Sequence, residues 1–167
     1  MSEKDFYPFR HEGNILEEGN RAVVRHPSLG HLCGYVLIKD KNCPVSWRGN
    51  YDADALQYLA VHGGLTYCEH HPSAGTVFGF DCSHCDDDKN PDLRDPKHVM
   101  DLTRQMEDQI LLYATRLGEW HGAGRDRRIE IMQEIIDAAE TKTELGLGAM
   151  LGMMCGAEEF GAGEKQE

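Results

Sequence analysis

The sequence predicts an α+β fold, in which a small antiparallel sheet of about four strands packs against one long amphipathic helix and a second helix follows toward the C-terminus. The first half of the chain contains segments rich in β-branched and aromatic residues, separated by turn-forming residues. The second half contains segments in which apolar residues recur with helical spacing. A chain of 167 residues is long enough to bury one core of ordinary size, so we expect a single domain.

Four segments have the composition of strands. Residues 21–26 (RAVVRH) and 31–39 (HLCGYVLIK) flank a Pro-Ser-Leu-Gly turn. Residues 64–68 (GLTYC) and 76–82 (TVFGFDC) flank the loop EHHPSAG, whose proline and glycine are typical of a chain reversal. We therefore expect the second pair of strands to form a hairpin.

Three segments predict helices. Residues 52–61 have helical apolar spacing and are followed by two glycines. Asp95 is placed to cap a long amphipathic helix over residues 96–117, which Gly118 is expected to end. Residues 127–141 predict a second amphipathic helix, which either pairs antiparallel with the first or exchanges with another subunit to form a homo-oligomer.

The two ends of the chain lack this periodicity. Residues 1–20 are interrupted by glycines and predict an irregular arm. Residues 144–167 are rich in glycine and methionine and end in a polar segment, which indicates a weakly ordered tail. The predicted domain therefore covers residues 21–143.

The charge and hydropathy of the chain exclude some function classes. A formal net charge of −12 disfavours direct nucleic-acid binding, which needs basic patches, but it suits docking on a basic surface of a host protein. No segment approaches the roughly 20 apolar residues that cross a bilayer, and no secretory signal is evident, so we expect a cytoplasmic protein. We accordingly expect the six cysteines to be reduced.

The most visible metal pattern combines a CxH with a CxxC. Structural zinc takes four nitrogen or sulfur ligands in a tetrahedron. The four residues that could supply them are Cys68, His70, Cys82 and Cys85. In a tight hairpin the two pairs would lie about 20 Å apart, so a folded-over loop would be needed to close this zinc site.

The expected hairpin register favours a different cluster. Placing Thr66 opposite Phe78 brings His62 beside Cys82. The register predicts a pocket lined by His62, Thr66, Asp81, Cys82 and His84, which His31 or Tyr35 could reach from the neighbouring strand.

This cluster allows several kinds of chemistry. His62, Asp81 and His84 suit a divalent metal such as zinc with an open position, or a general base oriented by a carboxylate. Cys82 beside His62 meets the minimum requirement for a thiolate nucleophile. The alternative without chemistry is that His62 caps the preceding helix, Asp81 bonds the backbone, and Cys82 packs in the core.

Two further features have a functional and a structural interpretation. Trp47 and Arg48 could stack on a nucleotide base and bind its phosphate, or they could pack at the edge of the domain. The acidic run 86–88 could ligate a hard cation, but we interpret it as a solvated loop because no calcium-loop spacing follows.

Several motifs together resemble an uncharacterised family of small bacteriophage and bacterial proteins. The matching segments are residues 31–36 (HLCGYV), 61–67 (VHGGLTY), 78–84 (FGFDCSH) and 93–110 (LRDPKHVMDLTRQMEDQI). The resemblance runs from about residue 30 to residue 117 and implies a compact ligand or active site and a phage or prophage origin. The polar residues that fall on the motifs are His31, Cys33, Tyr35, His62, Thr66, Asp81, Cys82 and His84. Cys85 replaces the alanine expected in the family, so a site that used it would belong to this protein alone.

Three functions follow from these observations. The first is a phage-encoded accessory protein that binds a small nucleotide-like molecule or signal in the pocket, with a counter-defence role. The second is a small metal-dependent hydrolase that uses His62, Asp81 and His84. The third is an acidic inhibitor that docks on a host protein. The loose arrangement of the carboxylates favours binding over catalysis.

Overall fold

The computed structural model describes residues 7–9, 13–53, 56 and 59–140. In this part of the chain five strands form one sheet in the order β1-β2-β3-β5-β4, with antiparallel neighbours throughout. The element bounds are β1 Asn14–Glu18, β2 Arg21–Arg25, β3 Leu32–Ile38, β4 Tyr67–His71, β5 Gly75–Asp81, α1 Pro96–Gly122 and α2 Arg125–Glu140. The predicted α+β fold, with one long and one shorter helix, is therefore confirmed.

The strand beyond the expected four is β1, which lies in the arm that was predicted to be irregular. It pairs with β2 through a turn in which Gly19 has a positive φ of 60°. Leu16 packs against the main core, while Ile15 points away and is 41% exposed. An edge strand with a single inward apolar side chain carries little alternation, so its pattern was too weak to predict a strand. Residues 1–6 and 10–12 of the arm lie outside the described residues.

Both faces of the sheet are covered by apolar side chains, since β3 is buried along its whole length. The main core lies between one face and α1, where Val36, Phe78 and Met106 are fully buried. The opposite face is covered by Phe9, which comes from the segment before β1.

Helix α1 begins as the sequence predicts. Pro96 is its first residue, and the Asp95 carboxylate accepts a hydrogen bond from the Lys97 amide at 3.0 Å. The expected end at Gly118 is wrong, because the helix continues to Gly122. Gly118 is exposed, and its cost of about 1 kcal/mol relative to alanine does not outweigh the hydrogen bonds of the flanking turns.

Helices α1 and α2 form the predicted antiparallel pair. Arg127 near the start of α2 forms an ion pair with Glu119, and Arg116, further back on α1, pairs with Glu134, further along α2. No helix in the described ranges is long and apolar enough to span a membrane. The predicted tail, residues 144–167, lies outside those ranges.

The predicted helix over residues 52–61 does not extend to its expected end. Residues 54, 55, 57 and 58 lie outside the described residues, while 59–61 are described and are not helical. The backbone of Ala60 instead pairs with the buried side chain of Gln109 on α1: its N–H donates to Oε1 at 2.8 Å and its carbonyl accepts from Nε2 at 3.1 Å. Because a side chain satisfies these backbone groups, the segment needs no helical bonds before it delivers His62.

Candidate metal centre

The β4–β5 hairpin has a different register from the predicted one. Cys68 lies opposite Phe78, and β4 continues to His71, so only residues 72–74 form the loop. The expected pairing of Thr66 with Phe78 is therefore wrong by two residues. Continued beyond the ladder, the observed register places His62 beside His84 instead of Cys82, and their ring centroids are 5.4 Å apart.

His62, His84 and Asp87 converge at the open end of this hairpin. His62 Nε2 lies 2.9 Å from Asp87 Oδ2, and His84 Nδ1 lies 3.3 Å from the same oxygen. The two imidazoles are nearly perpendicular, at 79°. In the described part of the chain this is the one group in which three possible ligand atoms all lie within 4.8 Å of one another.

The two histidines are held by close packing. The ring of His84 lies against Gly63, where a Cβ atom would come within 1.9 Å of His84 Cε1. Gly63 also has a φ of +64°, which L-residues rarely adopt. On the other side the His62 ring packs edge-on against Phe80, with centroids 6.4 Å apart. These contacts leave His62 24% and His84 33% exposed, so both imidazoles remain accessible to solvent.

Asp87 is the residue that joins the two histidines. The chain turns back at Asp86, which has a left-handed φ of 72°, and the Asp87 side chain is only 10% exposed. Its Oδ2 also accepts a hydrogen bond from the His84 amide at 2.7 Å. Burial by itself would raise the pKa of Asp87, but hydrogen bonds from His62 and His84 outweigh it and lower the pKa. The carboxylate is therefore ionised and able to act as a ligand at neutral pH.

Asp81, the predicted carboxylate of the site, lies beside this group and not within it. Its Oδ1 is 4.0 Å from His84 Nδ1 and accepts a hydrogen bond from the Ser83 amide at 3.1 Å. Asp81 lies opposite Cys33 in the sheet, on the face away from α1. Alternation along β5 therefore turns its side chain away from Phe80, against which His62 packs.

His31, which was predicted to reach the pocket, comes directly before β3 and is close enough to Asp81 for the carboxylate to affect its pKa. Its ring stacks on His26 with centroids 4.8 Å apart. Burial lowers the pKa of His31, and His26 lowers it further, while Asp81 acts in the opposite direction. The His31 ring is therefore neutral at pH 7.

The thiol predicted for the pocket is in the core. Cys82 is 6% exposed, and burial raises its pKa to about 12, so its thiolate is not populated at neutral pH. The interpretation of Cys82 as a nucleophile is therefore not supported. Its alternative interpretation as a core residue agrees with the structure.

The four residues of the CxH and CxxC pattern do not meet. Cys68 Sγ lies 3.4 Å from the carbonyl of Trp47, and His70 Nε2 lies 3.0 Å from Asp40 Oδ1. Cys82 lies four residues beyond the partner of Cys68, a strand length of about 13 Å. Cys85 is exposed and does not join any three-ligand group among the described residues.

The remaining predicted pocket residues lie elsewhere. Tyr35 is buried on the face away from α1, where its hydroxyl lies 2.7 Å from that of Tyr7. The Trp47 indole is 2% exposed in the main core, and Arg48 pairs with Asp40 at 3.3 Å. Thr66 is exposed next to β4, and its amide donates to the Gly79 carbonyl.

Trp47 therefore offers no face to a nucleotide base, and the predicted stacking interaction is wrong. The indole is more stable in the core, because burying a side chain of this size removes a large apolar area from water. The edge-packing alternative is also incomplete, since Trp47 is fully buried and belongs to the main core.

Asp87 belongs to the candidate site but was not predicted from the sequence. The only signal was the acidic run 86–88, which we interpreted as a solvated loop with cation binding as the alternative. In the structure this run is split, because Asp86 and Asp88 are exposed while Asp87 turns inward.

Comparison of the chain with known proteins gives no match among protein-family models, curated proteins or solved structures. The resemblance to small phage and bacterial proteins, and the phage origin that it implies, therefore stay predictions.

Proposed function

We propose that the protein binds one divalent metal ion, with zinc as the best fit, through His62, His84 and Asp87. The observation that supports this proposal is the convergence of two imidazole nitrogens and one carboxylate oxygen. Zinc binds such donors at about 2.0–2.2 Å, so two ligand atoms at the tetrahedral angle lie about 3.3 Å apart. The separations from Asp87 Oδ2 to His62 Nε2 and His84 Nδ1, 2.9 and 3.3 Å, are close to this value.

The donor set is that of a reactive metal site. Structural zinc sites use four protein ligands, whereas catalytic sites use three and keep one position for water or substrate. The partial exposure of His62 and His84 leaves this fourth position accessible to a small molecule. We therefore assign the protein to the small metal-dependent enzymes, with Asp87 in the ligand position that was predicted for Asp81.

A zinc titration of protein prepared without a polyhistidine tag tests the proposal. The chain is first stripped of metal with a chelator, and zinc binding is then followed by competition with a chromophoric chelator. We expect one ion per chain. The variants His84→Ala and Asp87→Asn should bind zinc more than about 100-fold more weakly, because the loss of a group that only hydrogen-bonds to a ligand already costs about 10–100-fold.

The matched controls are His98→Ala and Asp88→Asn, which remove an imidazole and a carboxylate outside the three ligands. Both should keep wild-type zinc affinity, and circular dichroism should show that all four variants are folded. The proposal is wrong if wild-type protein binds no stoichiometric zinc, or if the controls weaken binding as much as the ligand variants do.

A further inference from the structure

We infer that a second copy of this chain docks on α2, so that the protein is a homodimer whose two α2 helices pack antiparallel at the twofold axis. The two sides of α2 differ in burial. Ile131 is fully buried, whereas Ile129, two residues earlier, is 58% exposed. Two residues correspond to a rotation of about 200° around an α-helix, so these isoleucines lie on opposite sides of it.

The buried side of α2 is the one that packs in the monomer. Arg127 and Glu134 lie one turn before and one turn after Ile131, on the same side of the helix. Arg127 pairs with Glu119 of α1 at 3.0 Å, and Glu134 pairs with Arg116 of α1. These contacts fix the side of α2 that faces α1, and they leave the side of Ile129 in solvent.

The sequence on the solvent side of α2 has the spacing of a helix–helix seam. Apolar residues recur at positions 129, 132, 136 and 139, as isoleucine, methionine, isoleucine and alanine. This three-four-three spacing is typical of the apolar line along which two helices pack. A surface helix with one partner is normally polar on the side away from it. The second apolar line therefore indicates a second helical partner.

The charges of α2 identify that partner and its direction. Its first turn is basic, with Arg125, Arg127 and Arg128. Residues 130–140 contain no lysine or arginine, and their acidic residues are Glu130, Glu134, Asp137 and Glu140. In an antiparallel pair of α2 helices each basic end lies beside the acidic end of the other copy, whereas a parallel pair would place like charges together. The helix is thus complementary to itself, as a twofold interface requires.

The tail of the chain is the other candidate for covering this side of α2. Residues 141–167 follow the helix directly and begin with the partly apolar segment TKTELGLGAMLGMM. Contact with the tail of the same chain does not depend on protein concentration, whereas dimerisation does. The two occupants are therefore distinguished by the mass of the protein over a concentration series.

Sedimentation equilibrium of the full-length chain tests the inference. A chelator and a reductant in the buffer prevent association through metal ions or disulfides. As the concentration rises, we expect the average mass to increase from 18.8 kDa toward twice that value. Ile129→Glu should stay near 18.8 kDa throughout, because dimerisation would bury an unpaired charge in the seam. The matched control is Leu29→Glu in the turn between β2 and β3, where the side chain is 71% exposed. It should dimerise like wild type, and circular dichroism should show that both variants are folded.

A charge reversal tests the antiparallel direction. Arg125→Glu should weaken the dimer by about tenfold or more, because it places like charges beside the acidic end of the other copy. Adding Glu140→Arg to this variant exchanges the two charges and should restore the dissociation constant to within about threefold of wild type. Nonspecific association through apolar surface would not respond in this way.

Each result supports or overturns a defined part of the inference. A wild-type chain that stays at 18.8 kDa at every concentration is not a dimer, and the inference is then wrong. If in that case Ile129→Glu is less stable to urea than Leu29→Glu, the tail covers α2 instead. Dimerisation of Ile129→Glu with wild-type affinity would place the interface elsewhere. The antiparallel arrangement is wrong if Arg125→Glu does not weaken the dimer, or if the exchange of charges does not restore it.

Discussion

Gln109 on α1 holds the backbone of Ala60 through two hydrogen bonds, of 2.8 and 3.1 Å, two residues before His62. The same side chain also donates to the carbonyl of Gln105 within its helix at 3.1 Å. The interaction joins the helix to the loop that carries His62, one of the three proposed metal ligands. A residue far from His62 in sequence thus helps to position it.

Replacing Gln109 with alanine should weaken both the fold and the metal site. The N–H and carbonyl of Ala60 would lose their partners, at a cost of about 1–3 kcal/mol in the free energy of unfolding. Because the loop before His62 is then less constrained, zinc affinity should fall, by at most the factor of about 10–100 that is typical when a ligand loses its own hydrogen-bond partner. Urea unfolding and zinc titration measure the two effects. The control is Gln105→Ala, which changes an exposed side chain on the same helix. It should leave the free energy of unfolding and the zinc affinity unchanged.

The adjacent glycines 63 and 64 allow backbone strain to be separated from steric clash. Both have a positive φ, of 64° and 87°, so alanine at either position should cost about 1–2 kcal/mol of stability. Only at Gly63 would the new Cβ meet the His84 ring, since it has nothing within 4 Å at Gly64. Gly63→Ala should therefore lose zinc affinity, while Gly64→Ala should be destabilised but bind zinc normally. Equal zinc affinities for the two variants would show that the His84 ring can move away without cost to the site.

Glu107 should be important for stability and not for metal binding. Its carboxylate is 10% exposed and accepts hydrogen bonds from Asn20 Nδ2, at 2.6 Å, and from Arg21 Nε. Glu107→Gln removes the charge that pairs with Arg21, so we expect a loss of about 1.5–3 kcal/mol in urea unfolding. Glu130→Gln, at an exposed position on α2, is the control and should change stability by less than about 0.5 kcal/mol.

Because the Cys33 thiol is buried, we expect the free energy of unfolding to fall at alkaline pH. Burial raises the pKa of Cys33 to about 11, above the value of about 8.5 for a thiol in an unfolded chain. Below pH 8.5 the thiol is protonated in both states and has no effect. As the pH rises above 8.5, the unfolded thiol ionises first and favours unfolding, until the folded thiol also ionises near pH 11. Urea unfolding between pH 7 and 10 measures how the free energy of unfolding falls with pH. In the Cys33→Ala variant this fall should be smaller. If the decline is equally steep without Cys33, other groups cause it.

The sequence by itself determined the types of the main elements. The strands that became β2, β3 and β5, and the start of α1 at Asp95 and Pro96, follow from local properties. These are β-branched composition, the side-chain cap and the fixed φ of proline, and none of them needs information from distant parts of the chain. The sequence also indicated that chemistry would lie near His62 and His84, because histidines cluster around the hairpin ends.

Only the tertiary structure decided which residues meet. The length of the loop after His71 set the hairpin register, and this moved His62 from Cys82 to His84. The left-handed turn at Asp86 then directed Asp87 inward in place of Asp81. Burial in the core removed Trp47 and Cys82 from the site. Register, loop conformation and burial depend on packing between residues that are distant in sequence, and local composition does not encode that packing.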